Sequence, residues 1–419
     1  MSADYIEKDQ NLLDIDLRNN PIQNKEKADH TWKANIWKLY LINLFMGFHF
    51  ISGILLPFFI TWGNLTFIQV IVLQSYFTIM ILLFEIPCGA IADYVSRKFS
   101  LVLGALIVAL AALIYGSYPN IFIFIIGETL WAFATALTSG TEQAFIYDTL
   151  RKLEKEEDIS KVTARNTSFF LLGLAISAPI GSFIGAYLAL NLVMTIMFFP
   201  FLVATIISLS LKEPNHELER KKTENYLAII KSGFKELRKN RILRIFAIEK
   251  ISVEIIVSFL VWTYQIYLEK LNLQIIFFGL VSTLMTIIQI IMNNMIPKLE
   301  NKVSNKKKIL QVYTLIPGIG FILIAMIYYI PVSIPLILVI IGFGFSRRIL
   351  FVKGINKQIK TQNRATVLST INMAASLIRT VVYPLIAYIV TWNLSATFIL
   401  LGTTIIFITL ISRIRSEYL

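Results

Sequence analysis

The chain alternates between apolar and polar stretches at a spacing set by the thickness of a lipid bilayer. Apolar runs occupy roughly 36–60, 67–92, 99–117, 121–147, 164–188, 190–211, 244–268, 274–296, 309–329, 333–352, 365–388 and 393–412. Each approaches the ~20 residues that a helix needs to cross ~30 Å of hydrocarbon. Lipid offers no water to backbone N–H and C=O groups, so these runs are predicted to be helices. The gaps between them differ in charge. Segments 97–98, 149–165, 212–244, 297–308 and 347–364 are rich in Lys and Arg, whereas 62–66, 118–120, 189–190, 330–332 and 391–392 carry none. All but three of the 39 basic residues fall on the first side; Lys250 and Arg379 lie within runs, and Lys270 lies on the other side. Cytoplasmic loops carry the positive excess. A multi-pass protein of the plasma or inner membrane, with both termini cytoplasmic, is therefore expected.

Composition excludes several other classes. Charged residues make up 16% of the chain, against ~25% in soluble domains. The net charge of +13 does not point to nucleic acid, because it sits in short loops with no soluble domain to present it. Topology and attraction to anionic membrane lipid account for it. The single cysteine, Cys88, excludes an internal disulfide and a cysteine-rich metal site. Residues 1–35 are polar and mixed in charge. They read as a mobile cytoplasmic tail rather than a cleavable signal peptide.

The longest interior polar stretch divides the spans six and six. The expected plan is an N-terminal tail (1–35), a first bundle (36–211), a linker (212–243), a second bundle (244–412) and a short C-terminal tail (413–419). Within the linker, Tyr226, Leu227, Ile230, Phe234 and Leu237 recur at helical spacing among Lys231, Lys235, Arg238 and Lys239. This pattern predicts an amphipathic helix on the inner membrane surface. The loop Val95-Ser96-Arg97-Lys98 is echoed about half a chain later by Val303-Ser304-Asn305-Lys306, a faint sign of duplication.

Span two ends Glu85-Ile86-Pro87-Cys88-Gly89-Ala90-Ile91-Ala92-Asp93-Tyr94-Val95-Ser96-Arg97-Lys98. This stretch resembles the signature of the major facilitator superfamily, with Gly89, Asp93, Arg97 and Lys98 matching in type and spacing and Ser96 replacing the second glycine; Gly89 would let two helix backbones approach closely. The resemblance implies an all-α membrane protein of twelve helices in two six-helix bundles with pseudo-twofold symmetry. It also implies solute transport by alternating access, without a cofactor. In such proteins the loop closes the cytoplasmic face in one state, and Asp148 and Arg364 are its expected partners here. The stretches Gly140 to Asp148 and Arg364 to Ser369 resemble the drug:proton antiporter branch. The span-five signature of that branch departs from pattern, with Ala178-Pro179 in place of Gly-Pro. Gly173, Ser177, Gly181 and Gly185 share one helix face there, and close packing across the bundle interface is expected of them.

Ionisable groups inside spans are costly and face a cavity or a partner. They are His49, Glu85, Glu128, Glu249, Lys250, Glu254, Arg347, Arg348 and Arg379. The resemblance places spans one, four, seven and ten around the cavity, and with them His49, Glu128, Glu254 and Arg347. Glu128 is the first candidate for proton coupling, since a carboxyl in a dry pocket suits proton transfer; a structural carboxyl bonded within the first bundle is the alternative. Lys250 and Glu254, four apart on one helix face, neutralise each other, or Glu254 pairs with Arg379. His49 reads as an interior group. Glu85, two residues before Pro87, is open between a proton stop and a hydrogen-bonded kink. Phe48, Phe133 and Tyr264 would suit an amphipathic ligand. No convergent nucleophile, base or metal set points to an enzyme, and no metal site is expected. The expected function is proton-coupled efflux of amphipathic organic compounds by a monomer, its partners a small-molecule substrate, protons and lipid. A proton-coupled importer of a small metabolite such as an organic acid is the first rival, and a non-transporting receptor the second.

Overall fold

A computed structural model describes residues 21–214, 226–303, 305–359 and 364–419, with the side chains of 29–214, 231–303, 305–359 and 366–419. Most of the predicted N-terminal tail lies outside the described residues. Helices account for nearly everything described, and many start on a polar cap. Thr66 forms a reciprocal capping box with Gln69 at the start of α2 (Phe67–Tyr94). Ser96 accepts from Phe99 N at the start of α3 (Arg97–Ser117), and Asn120 does the same for Phe122 N before α4 (Ile121–Thr138). Such caps satisfy orphan donors where an apolar run leaves the interface.

Several spans are interrupted, two of them at glycine. The first span, α1 (Pro21–Met46), ends before Gly47 and continues as short helical turns over Phe50–Trp62. Span four breaks at Gly140, whose φ of +74° favours glycine, and resumes as α5 (Thr141–Lys152). Span five is the unbroken α6 (Ile159–Tyr187), and span six is split into α7 (Leu190–Thr195) and α8 (Phe198–Leu209). The linker helix α9 (Tyr226–Lys239) leads into α10 (Arg241–Lys270), α11 (Phe278–Lys302) and α12 (Lys306–Met326). Span ten divides into α13 (Ile330–Ser346) and α14 (Arg348–Lys357), and the chain closes with α15 (Arg364–Trp392) and α16 (Leu394–Ile411).

Ten helical segments among the described residues are long and apolar enough to cross a membrane. The other two of the twelve spans are α1 with its following turns, interrupted at Gly47, and α10, which carries Glu249, Lys250 and Glu254. The chain thus forms the expected all-α arrangement of two six-helix bundles.

Contacts between the two halves run from mid-depth to the end opposite the basic loops. Ser75 Oγ donates to Thr380 O at 3.1 Å, joining α2 to α15. Thr283 Oγ1 donates to Ala175 O at 2.8 Å, joining α11 to α6. Leu56 N donates to Gln265 Oε1 at 2.9 Å, and the Phe67 and Phe259 rings meet at 6.4 Å. Gly279 lies so close to α6 that an added Cβ would sit 2.1 Å from Ala178 O.

Four expectations are revised. Gly89 is not a helix-crossing point, since a Cβ there would meet nothing within 4 Å. The glycine face of α6 packs within the first half rather than across the interface: Gly173 abuts Leu44 O, Gly181 abuts Phe50 O and Gly185 abuts Ile54. The linker helix does not rest only on the membrane surface. A Cβ on Gly233 would lie 1.9 Å from Thr370 Oγ1 of α15, and Leu237 is buried while Phe234 is exposed. The expected C-terminal tail also packs inward, with Ile414 and Leu419 buried and Ser416 Oγ accepting from Lys306 N at 3.0 Å.

Candidate functional site: the basic-side clamp and the mid-depth cavity

The signature loop forms a clamp built on charge. Arg97 pairs with Asp148 at the end of span four, as expected, and its Nη1 also donates to Ala144 O at 3.2 Å. A second carboxylate, not foreseen from the sequence, sits on the same loop. Glu213 accepts from Ser96 Oγ at 2.8 Å, from Arg97 N at 3.0 Å and from Lys98 N at 2.7 Å. The first turn of α3 exposes unpaired N–H groups and the positive end of the helix dipole, so a carboxylate is favoured there. The segment bearing Glu213 is held to span one as well. Asn35 Nδ2 donates to Lys212 O at 2.8 Å while Lys212 N donates back to Asn35 Oδ1 at 3.1 Å. The only hint in the sequence is an acid flanked by Lys212 and Pro214 just past span six, where a basic loop residue would be usual.

The remaining signature residues are placed less tightly. Asp93 is exposed and acts on Arg97 through its charge rather than a hydrogen bond. Arg364 opens α15, but its side chain lies outside the described residues.

In the first half, Glu128 is 4% exposed and faces the packing of α2, α3 and α4 instead of an open cavity. It is hydrogen-bonded by Gln74 and by Tyr115. Among the described residues no cation pairs with it. A second carboxyl, Glu142, is bonded by Asn43 Nδ2 at 2.9 Å and by Asn166. It was visible in the sequence only as part of the span-four stretch. His49 is surrounded by the rings of Trp131, Phe170 and Phe201 at 5.5 to 5.8 Å, the interior setting expected of it. Glu85 is half-buried in α2, which runs unbroken through Pro87.

The second half carries the charged cavity. A space of 530 Å³ is walled by α10, α11, α13 and α14, and Lys250, Glu254, Gln289, Asn293, Arg347, Arg348 and Lys353 supply its polar lining. Both pairings weighed for Glu254 are present: Lys250 Nζ lies 2.9 Å away and Arg379 Nη2 4.0 Å. Lys250 also reaches Asn372 Oδ1 at 3.5 Å. Arg347 is 3% exposed, stacks over Phe351 at 4.7 Å, and has Glu249 Oε1 at 3.8 Å. Glu249 is itself held by Ser412 Oγ at 2.7 Å. Two sequence candidates, Glu128 and His49, are thus separate from this cavity, while Glu254 and Arg347 line it and Arg379 flanks it.

The aromatic residues expected to receive an amphipathic ligand are packed elsewhere. Phe48 stacks with Phe45 at 5.9 Å and Phe133 meets Phe84 at 5.2 Å. Tyr264 is buried at the closed end, where its hydroxyl donates to Ser52 O at 3.4 Å.

Comparison with solved structures finds the same fold in transporters of several solutes. A variant of the nucleoside transporter NupG superposes with a TM-score of 0.78 at 13% identity, covering 90% of this chain and 98% of that one. A D-xylose-proton symporter gives 0.69 at 12% identity, with 92% and 98% covered. The POT family transporter PepTSo gives 0.69 at 14% identity, with 92% and 97% covered. No curated protein matches in sequence. The Major Facilitator Superfamily model matches residues 39–379. Twelve spans in two halves, a charged signature loop and this match over most of the length lead to one conclusion: the chain belongs to the Major Facilitator Superfamily, a transporter and not an enzyme.

Proposed function

We propose that the protein is a proton-coupled secondary transporter that moves a small polar solute by alternating access, captured with its solute cavity open toward the basic loops. One observation carries this reading: the two halves meet from mid-depth outward, while the 530 Å³ charged space lies in the half of the spans nearer the basic loops. By the positive-inside rule that side is the cytoplasm, so the state is inward-open. Rocking of the halves against each other would close this side and open the other.

Glu128 is assigned the proton. Its hydrogen-bond partners are neutral, so gaining or losing a proton changes the net charge of the first half. Glu254, between Lys250 and Arg379, is neutralised where it stands. The cavity wall offers charges and carboxamides, and Phe48, Phe133 and Tyr264 are committed to packing. These features favour a polar metabolite over the amphipathic cargo of an exporter, and so favour import with protons.

The test uses proteoliposomes loaded with a pH-sensitive dye and screened against sugars, nucleosides and organic acids. A transported solute should draw protons inward, and Glu128→Gln should abolish the proton signal while solute exchange continues. Full solute-driven proton entry in Glu128→Gln would remove Glu128 from the mechanism.

A further inference from the structure

We infer that the cavity is an anion site, taking a solute that bears a carboxylate or phosphate and holding that group between Arg347 and Arg379. The inference deepens the transport reading and rests on it. Its basis is an imbalance of charge and donors. Lys250, Arg347 and Arg379 gather against two carboxylates, Glu249 and Glu254, and Arg348 adds a further cation to the cavity wall. Positive charge is therefore in excess around the cavity, where unbalanced charge is costly. The donors are unbalanced too. Among the described residues, Nε and Nη2 of Arg347 and Nε of Arg379 find no hydrogen-bond acceptor, three donors against the one unmet carboxylate oxygen of the cluster, Oε2 of Glu254. The contacts at 3.8 Å to Glu249 and 4.0 Å to Glu254 are too long to be hydrogen bonds.

Both guanidinium groups are held for use rather than left loose. Arg347 is 3% exposed and fixed over the Phe351 ring, and it lines the cavity. Arg379 lies over Tyr383 at 5.9 Å, and the Tyr383 hydroxyl is tied to Ser258 Oγ at 2.6 Å. A planar guanidinium presents a fork of donors that a carboxylate or phosphate matches with two oxygens. An incoming anion supplies the missing acceptors and cancels the surplus charge in one step. Gln289 and Asn293 on α11 face the same space and offer both donors and acceptors to the polar remainder of the solute.

Charge-selective thiol labelling tests the site without knowing the natural solute. Gln289→Cys is made in a Cys88→Ala background, in the full chain reconstituted in nanodiscs. Two methanethiosulfonates are compared, one ending in a sulfonate and one in trimethylammonium, each normalised to its rate with a free thiol. The sulfonate reagent should react about tenfold faster, as a cavity potential of a few kT requires. Arg379→Gln and, separately, Arg347→Gln should reduce that preference several-fold. Equal rates, or a preference for the cationic reagent, would overturn the anion site while leaving the open cavity intact. Failure of both reagents to react would remove the cavity itself, and with it the transport reading.

Discussion

The closed end of the molecule depends on one glycine whose replacement should tip the balance between states. A Cβ on Gly279 would come within 2.1 Å of Ala178 O, 2.5 Å of Ala178 C and 2.6 Å of Ser182 Oγ. Ordinary contact begins at 3.4 Å, so the first of these distances is short by 1.3 Å. Ala178 belongs to α6 of the first half and Gly279 to α11 of the second, and the obstructing atoms are mainly backbone. Relief therefore requires the halves to part. Overpacking of this kind costs about 1–3 kcal/mol. The clash exists only while this end is shut, so the whole cost falls on one state. The equilibrium should shift toward opening there by about 5- to 150-fold. Spin labels at Tyr187→Cys and Lys270→Cys, in a Cys88→Ala background, report the distance at that end by pulsed electron resonance. Gly279→Ala should move the distance distribution to longer values. Gly181→Ala is the control within one half: its Cβ would lie 1.8 Å from Phe50 O, so it should lower thermal stability without changing the distribution. Gly89→Ala, with open space around it, should leave both unchanged or gain the ~0.5–1 kcal/mol of helix propensity. An unaltered distance distribution in a well-folded Gly279→Ala protein would refute the claim that this contact holds the end shut.

Three further outcomes follow from the clamp and the closure. Glu213→Gln keeps the shape but loses the charge that caps α3, and should lower stability by about 1–2 kcal/mol, read as a fall in the thermal unfolding midpoint of the purified protein. Gln265→Leu leaves the Leu56 N–H without its acceptor, at about 1–3 kcal/mol. Because that bond bridges the halves, the variant should lengthen the Tyr187–Lys270 distance as Gly279→Ala does. Arg97→Gln and Asp148→Asn, combined in a double-mutant cycle on thermal stability, should show a coupling of about 0.5–3 kcal/mol; additive effects would mean that the pair contributes nothing of its own.

Much of this architecture was legible because lipid imposes length and charge rules that local sequence must obey. Helix type and span positions follow from the length and spacing of the apolar runs. The Arg97–Asp148 pair was foreseeable because motif spacing and topology bring both residues to the same side. What was not legible depends on the rotation of one helix against another. The glycines of α6 announced a close contact but not its partner, which is span one rather than the second half. Gly89 sits in a signature yet touches nothing, since a one-dimensional pattern does not reveal which face of α2 meets a neighbour. Glu213 was hidden in a basic linker, and only the fold brings it to the start of α3. Glu128 lay in a span expected to line the cavity, but its face of α4 turns toward Gln74 and Tyr115. The charges of α10 were visible individually. Their surplus over the carboxylates emerged only when Arg347 from span ten and Arg379 from span eleven were placed beside them.

Alternating access requires two halves that tilt against each other. Two distances test this together. Spin labels at Lys152→Cys and Lys357→Cys span the basic side, and labels at Tyr118→Cys and Tyr329→Cys span the opposite end, each pair in a Cys88→Ala background. In the unmodified closure the basic-side pair should be long and the opposite pair short. Introducing Gly279→Ala should shorten the first and lengthen the second in matching proportion of molecules. Distances that rise together, fall together or both stay fixed would contradict alternating access in this protein.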